Sequence, residues 1–330
     1  MTRLRALLDP FLLALMATML LASLLPAHGA GAPIASGLAD AGIVLLFFLH
    51  GARLSRTAIL SGARSWQLHL ATLSSTYMLF PLLGLAIAML PGVPPLVGAG
   101  MLFLTLLPST VQSSIAFTAI ARGNVAAAVV SASFSNLIGL FLTPLLVALL
   151  MRGGTVAGPS LDAIEAILLQ LLLPFVVGHL LRPWLGSFIT RHRGLLAKVD
   201  RGSILLVVYA AFSAAVVEGL WRRLSGAELA LMAALCVALL ALVLGATFLL
   251  GRMLGLPRAD AIVLQFCGSK KSLASGVPMA GVLFPTAMVG PILLPLMLFH
   301  QIQLIACAIL ARRYAAAAEV MADPPARPAR

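Results

Sequence analysis

Residues 267–276 read CGSKKSLASG and set two adjacent cations, Lys270 and Lys271, among small and hydroxyl side chains. Two ammonium groups in such a setting can receive an anion, replace a bound cation, or bind the carbonyls of an interrupted helix. A second polar cluster follows Pro108 in LTLLPSTVQSSIAFTAIARGN (104–124), which offers Ser109, Thr110, Gln112, Ser113 and Ser114. Gln265, Ser269 and Ser272 flank the lysines, and Asn136 lies in a third hydroxyl-rich run with Ser131, Ser133 and Ser135. HQIQ (300–303) brings His300 and Gln301, for which lining a site and bonding within a helix fit equally. None of this resembles catalytic machinery. Ser269 and Lys270 are adjacent rather than arranged for proton transfer, and no Gly-rich phosphate loop ending in GK[ST] occurs. Cys236, Cys267 and Cys307 have neither metal-ligand nor disulfide spacing.

The elements that must position these residues are membrane helices. The 330 residues are 61% hydrophobic and only 10% charged, well beyond the roughly 45–50% apolar content of soluble domains. The net charge of +12 would suggest nucleic acid in a soluble chain. Here the basic residues sit at the ends of apolar runs, so nucleic acid is excluded as a partner and the lipid bilayer is expected. Apolar runs predict ten spans: 10–27, 36–51, 66–90, 96–121, 124–151, 161–184, 200–220, 227–251, 258–284 and 286–311. The first run has the basic start and small-residue end of a secretory signal, but Pro10 interrupts its charged region. We read it as a retained helix. Residues 314–330 read as a flexible cytoplasmic tail after a transporter domain over 1–313. With the N-terminus inside, 17 of the 22 Lys and Arg residues fall on the cytoplasmic side and 3 outside; the other two are the lysines of span nine. That bias predicts a multi-pass protein of the plasma (inner) membrane with both termini cytoplasmic.

Ten spans divide into two halves, about 1–152 and 153–313, and an odd-numbered unit inserts its second copy inverted. LADAGIVLL (38–46) and KVDRGSILL (198–206) match at an offset that also places Pro108-Ser109 on Gly268-Ser269. Asp40 and Asp200 read as helix-start caps. Spans four and nine, equivalent in this repeat, each carry a helix breaker followed by hydroxyls. Interrupted helices at corresponding places in two halves point to a transporter's binding site. A proline kink with a small-residue packing face is the plainer alternative. A break exposes carbonyls that attract cations and amides that attract anions. Neighbouring helical residues point about 100° apart, so one lysine is expected on the carbonyls of the first half-helix and the other on substrate. A purely structural ammonium is the other reading.

Across nearly its whole length the chain resembles the bile acid:sodium symporter superfamily. ARGNVA (121–126) after the first crossover and CGSKKSLASG carry the likeness, the latter resembling the SBF-like branch that includes the orphan sodium/bile acid cotransporter seven. The resemblance implies an all-α integral membrane fold with a core built on broken helices four and nine, a panel that moves against it, and secondary transport of organic anions with sodium. It also implies where the chain departs from sodium-dependent members. Gln265 stands in the place of a glutamate, Ser269 and Lys270 in the places of two amides, Ser113 and Ser114 in place of a Ser-Asn pair, and Ala128 and Ala132 where hydroxyls would help hold sodium. A weak sodium site near Ser113, Ser114 and Gln265, or a proton, remains as coupling ion. By that alignment Lys270 substitutes for the ion and Lys271 faces substrate.

The expectation is therefore a secondary-active transporter of a small or amphipathic organic anion, with a degenerate sodium site and no enzymatic activity. A non-transporting membrane sensor on the same fold is the alternative. The substrate's identity, the direction of transport and the oligomeric state leave no signal in the sequence.

Overall fold

A computed structural model describes residues 10–53, 65–151 and 168–322. Among these residues every regular element is helical. In chain order they are α1 (Pro10–Leu24), α2 (Gly31–Arg53), α3 (Trp66–Ala88), α4 (Pro95–Leu106), α5 (Gln112–Ile120), α6 (Val125–Leu150), α7 (Leu173–Arg191), α8 (Arg193–Val217), α9 (Leu220–Arg223), α10 (Gly226–Met253), α11 (Arg258–Cys267), α12 (Leu273–Leu283) and α13 (Thr286–Ala322). Single π-helical turns interrupt α3 at Ser75–Leu79 and precede α7 at Leu168–Leu172.

Seven of these helices are long and apolar enough to cross a membrane: α2, α3, α6, α7 with its π turn, α8, α10 and α13. Leu13–Leu24, Pro95–Leu106 and Leu273–Leu283 are apolar but shorter. The last two belong to the interrupted segments, where α4 and α5, and α11 and α12, are half-helices end to end. The interruptions have local causes. Pro108 forces Leu107 into extended backbone (φ −77°, ψ 156°), which ends α4. Ser272 starts α12 by accepting a hydrogen bond from the Ser275 amide at 3.1 Å.

The helices pack in two groups. In one, α2 lies against α7 and α8, and α8 against α1. The α2–α7 contact depends on two glycines: a side chain at Gly51 would collide with the Phe175 carbonyl, and one at Gly178 with the Phe48 carbonyl. The other group gathers α3, α4, α5, α6, α10, α11, α12 and α13 around the two interruptions. α8 joins the groups through α12 and α13.

Three expectations are corrected. Asp40 and Asp200 are not caps, because α2 begins at Gly31 and α8 at Arg193; Asp40 is exposed on α2, whereas Asp200 pairs with Arg53. The stretch 185–199, expected as a loop, is mostly helical, since its basic residues occupy an exposed face without a strong breaker. The tail expected from residue 314 continues α13 to Ala322, as its alanine run favours. Residues 1–9, 54–64, 152–167 and 323–330, which include the start of span six and several of the counted arginines, lie outside the described residues.

Candidate functional site: two crossed helix breaks

Each interruption leaves carbonyls at the end of its first half-helix with no intrahelical partner, and each is completed by the other. The Ser272 amide donates to the Pro108 carbonyl at 2.9 Å, which ties the two breaks together. At the end of α11, Ser114 donates to the Phe266 carbonyl (3.0 Å), Ser109 to Cys267 (2.5 Å), Ser75 to Gly268 (2.7 Å) and Ser269 to Gln265 (2.5 Å). At the end of α4 the main donor is a cation. Lys271 Nζ donates to the carbonyls of Thr105 (2.7 Å), Leu107 (2.7 Å) and Thr76 (2.9 Å) and lies 4.1 Å from the Phe80 ring centroid. An ammonium has three N–H donors, and all three are used. Thr143 covers the remaining carbonyl, Leu106, at 2.7 Å. The Thr76 carbonyl is available because it lies in the π turn of α3, where the regular backbone ladder is disturbed.

The backbone of Lys271 is equally committed. Its amide donates to Gln303 Oε1 and its carbonyl accepts from Gln303 Nε2, both at 2.9 Å, and Thr110 donates to the same carbonyl at 2.8 Å. Gln303 Nε2 also donates to His300 Nδ1 at 3.0 Å, so His300 supports the break from behind.

Lys270 has different surroundings. Its Nζ is 3.5 Å from Ser113 Oγ, at the outer limit of a hydrogen bond, and lies over the rings of Phe117 (4.1 Å) and Phe266 (5.4 Å). Both lysine side chains are fully buried. The carbonyl contact expected of Lys270 is therefore made by Lys271, whose three N–H groups are all used. The cause is direction: Leu107 and Thr105 lie on the side of the break that Lys271 faces.

Asn136 joins the breaks from α6, donating to the Ser109 carbonyl (2.6 Å) and accepting from Ser275 (2.9 Å). Ser135 accepts from the Ser109 amide at 2.9 Å. The remaining candidates divide. Gln265 donates to the Leu244 carbonyl of α10 at 2.8 Å, which turns its amide nitrogen away from the breaks. Ala128 and Ala132 are buried and supply no hydroxyl. Gln112 is exposed at the start of α5, and Gln301 is half-buried on α13 without a bond to either break among the described residues. Sequence reasoning missed Gln303 although it lies in the quoted HQIQ; its spacing of three from His300 puts both on one helix face. It also missed Ser75, Thr76 and Thr143, which lie within apolar spans away from either breaker. No group of three or more His, Cys, Asp or Glu side chains among the described residues is placed to hold a metal ion.

Beside the breaks is a cavity of about 330 Å³ between the two helix groups. One wall is α2, with Leu46, Phe47, His50 and Arg53; the facing wall includes Val111, Ser133, Asn136, Ser275 and Met279. Neither lysine lines it. Val111 is the N-cap of α5, and no side chain caps that helix start.

The chain is similar in sequence to known proteins. Protein PA2026 of Pseudomonas aeruginosa is 55% identical over 333 residues, covering 99% of this chain and all of that one. YfeH of Escherichia coli (strain K12), which carries a provisional symporter designation, is 53% identical over 309 residues, 93% of each chain. Sodium/bile acid cotransporter 7 of Danio rerio is 23% identical over 279 residues, 81% of each chain. The SBF-like CPA transporter family matches residues 9–316, a stretch that takes in both breaks and the cavity. The chain belongs to that family, whose members are membrane transporters and not enzymes.

Proposed function

We propose that this protein is a secondary-active transporter that moves a small or amphipathic organic anion by alternating access and does not need sodium. The observation that carries the reading is Lys271: a tethered ammonium on three carbonyls at a helix break supplies the positive charge that a free cation would otherwise bring. The cavity beside the breaks supports the anion, because the uncapped start of α5 adjoins it and amide ends of helices favour negative charge. Its volume lies within the roughly 300–1,000 Å³ range of small-molecule sites, and most of its lining is apolar.

In this reading the ten spans form two inverted five-helix repeats, with α1, α2, α7 and α8 as the panel that moves against the core. The names of the relatives, a symporter and a sodium/bile acid cotransporter, favour coupled transport. With Lys271 in place of sodium, the coupling ion is a proton carried by Lys270, whose ammonium has one long hydrogen bond and two aromatic faces. In this reading the protein lies in the inner membrane with both ends cytoplasmic, the orientation that the charge bias favours, and a cysteine introduced at Gly158 should label from outside without permeabilisation.

The test is uptake into proteoliposomes, after a thermal-shift screen of organic anions has supplied a ligand. Saturable uptake that is equal in sodium and potassium and responds to a pH gradient is the expected result. Uptake that requires sodium would overturn the sodium-free reading, and a ligand that binds without ever being moved would overturn transport.

A further inference from the structure

The α2 wall of the cavity ends in a charged group that the helix breaks do not explain. Arg53 Nη1 donates to Asp200 Oδ2 in the one ion pair found among the described residues, linking the end of α2 to α8. The pair is half made. Arg53 Nη2 and Asp200 Oδ1 are both buried, and neither has a hydrogen-bond partner. An arginine fork normally meets both oxygens of a carboxylate in two parallel bonds, so this guanidinium holds its counterion by one prong. The Arg53 side chain keeps 30% of its exposure against 17% for Asp200. It is the freer partner, and it is the one that lines the cavity. One turn earlier, His50 also lines the cavity and donates from Nδ1 to the Leu46 carbonyl at 2.8 Å, which fixes its ring. Before it on the same wall come Leu46 and Phe47, and Phe175 of α7 and Met279 of α12 add further apolar surface.

We propose that Arg53 is the head-group receptor of this cavity: its guanidinium, held to Asp200 through Nη1 alone, turns to take the carboxylate or sulfonate of an amphipathic anion whose apolar body lies along Leu46, Phe47 and Met279. Asp200 holds the guanidinium in place when the cavity is empty and shares it when the ligand is bound. The ligand class that fits is an apolar body with one anionic group at its end. About two helical turns separate Leu46 from Arg53, which is roughly 10 Å along α2. The body is therefore two fused rings or a comparable chain rather than a small dicarboxylate. Asn136 and Ser275, at the other wall, offer hydrogen bonds to a polar group borne on that body.

The proposal rests on the anion-transport reading but is tested apart from it, by equilibrium binding to the full chain in nanodiscs. The probes are radiolabelled 4-(2-naphthyl)butyrate and its primary amide, which share a body and differ in charge. The parent protein should prefer the carboxylate by about tenfold or more, the size expected for a charge-assisted fork contact. Arg53→Gln should bring the two affinities together while leaving that of the amide within about threefold. Because a lone buried Asp200 can unfold the protein, the neutral double variant Arg53→Gln/Asp200→Asn is measured alongside and should behave the same way. Arg53→Lys keeps the charge but not the fork and should recover part of the preference. An undiminished preference for the carboxylate in both glutamine variants overturns the proposal, as does failure of either probe to bind the parent. Organic-anion uptake that persists with the preference unchanged leaves the transport reading intact and removes only the head-group assignment.

Discussion

The two helix breaks solve one problem by different means. At α11 the exposed carbonyls are met by the neutral hydroxyls of Ser75, Ser109, Ser114 and Ser269; at α4 they are met mainly by the ammonium of Lys271. A hydroxyl neutralises one carbonyl and can be replaced by a neighbour or by water. An ammonium in the same place neutralises three at once and brings a whole charge into the buried interior. The difference also separates the two lysines. Lys271 is bound on every N–H, whereas its neighbour Lys270 faces two aromatic rings and one distant hydroxyl. In the proton-coupled cycle proposed above, Lys270 is the cation whose charge changes.

The comparison predicts unequal damage. Lys271→Met strips three buried carbonyls of their donor at about 1–3 kcal/mol each. The loss should be on the order of 3 kcal/mol or more, read as a fall in melting temperature in nanodiscs. Gln303→Leu removes the two bonds that clamp the Lys271 backbone. It should cost about 1–3 kcal/mol, and chemical denaturation should show it next in order. Ser109→Ala deletes one of four hydroxyls at α11 and should cost about 1 kcal/mol, because the other three remain. A Ser109→Ala loss as large as that of Lys271→Met would erase the distinction between the breaks. The smallest effect belongs to Gln265, whose amide is bonded to α10. Replacing potassium by sodium should not move the melting temperature of the parent or of Gln265→Ala, and sodium-specific stabilisation that the variant abolishes would restore the sodium site.

Much of the site could be read from residue types. Pro108, Gly268 and the hydroxyls that follow them located both breaks, because a helix cannot pass a proline without losing backbone bonds and small polar residues are the means of recovering them. The lysines stood out because buried ammonium groups are rare in membrane helices. What the sequence could not supply was direction. Which lysine reaches the α4 carbonyls depends on how the second half-helix is rotated, and the alignment pointed to Lys270 where the contact is made by Lys271. Thr76 was hidden for a related reason: its contribution is a carbonyl freed by a π turn, and any residue type can provide one. Arg53 and Asp200 looked like a topology signal and a cap, since nothing local in the sequence says that residues so far apart meet. Pattern marked where the helices begin to cross, while the long α13 and the early start of α8 show helices outrunning the apolar run that revealed them.

The central claim is that the adjacent lysines divide the work, Lys271 holding the fold at the break and Lys270 carrying the exchangeable charge. The measurement that tests it most directly sets Lys270→Met beside Lys271→Met, each scored for melting temperature in nanodiscs and for pH-gradient-driven organic-anion uptake in proteoliposomes. The account predicts that Lys271→Met melts well below the parent, while Lys270→Met melts with the parent and loses its response to the pH gradient. If Lys270→Met is the unstable variant, or keeps its pH response while Lys271→Met stays as stable as the parent, the account is wrong.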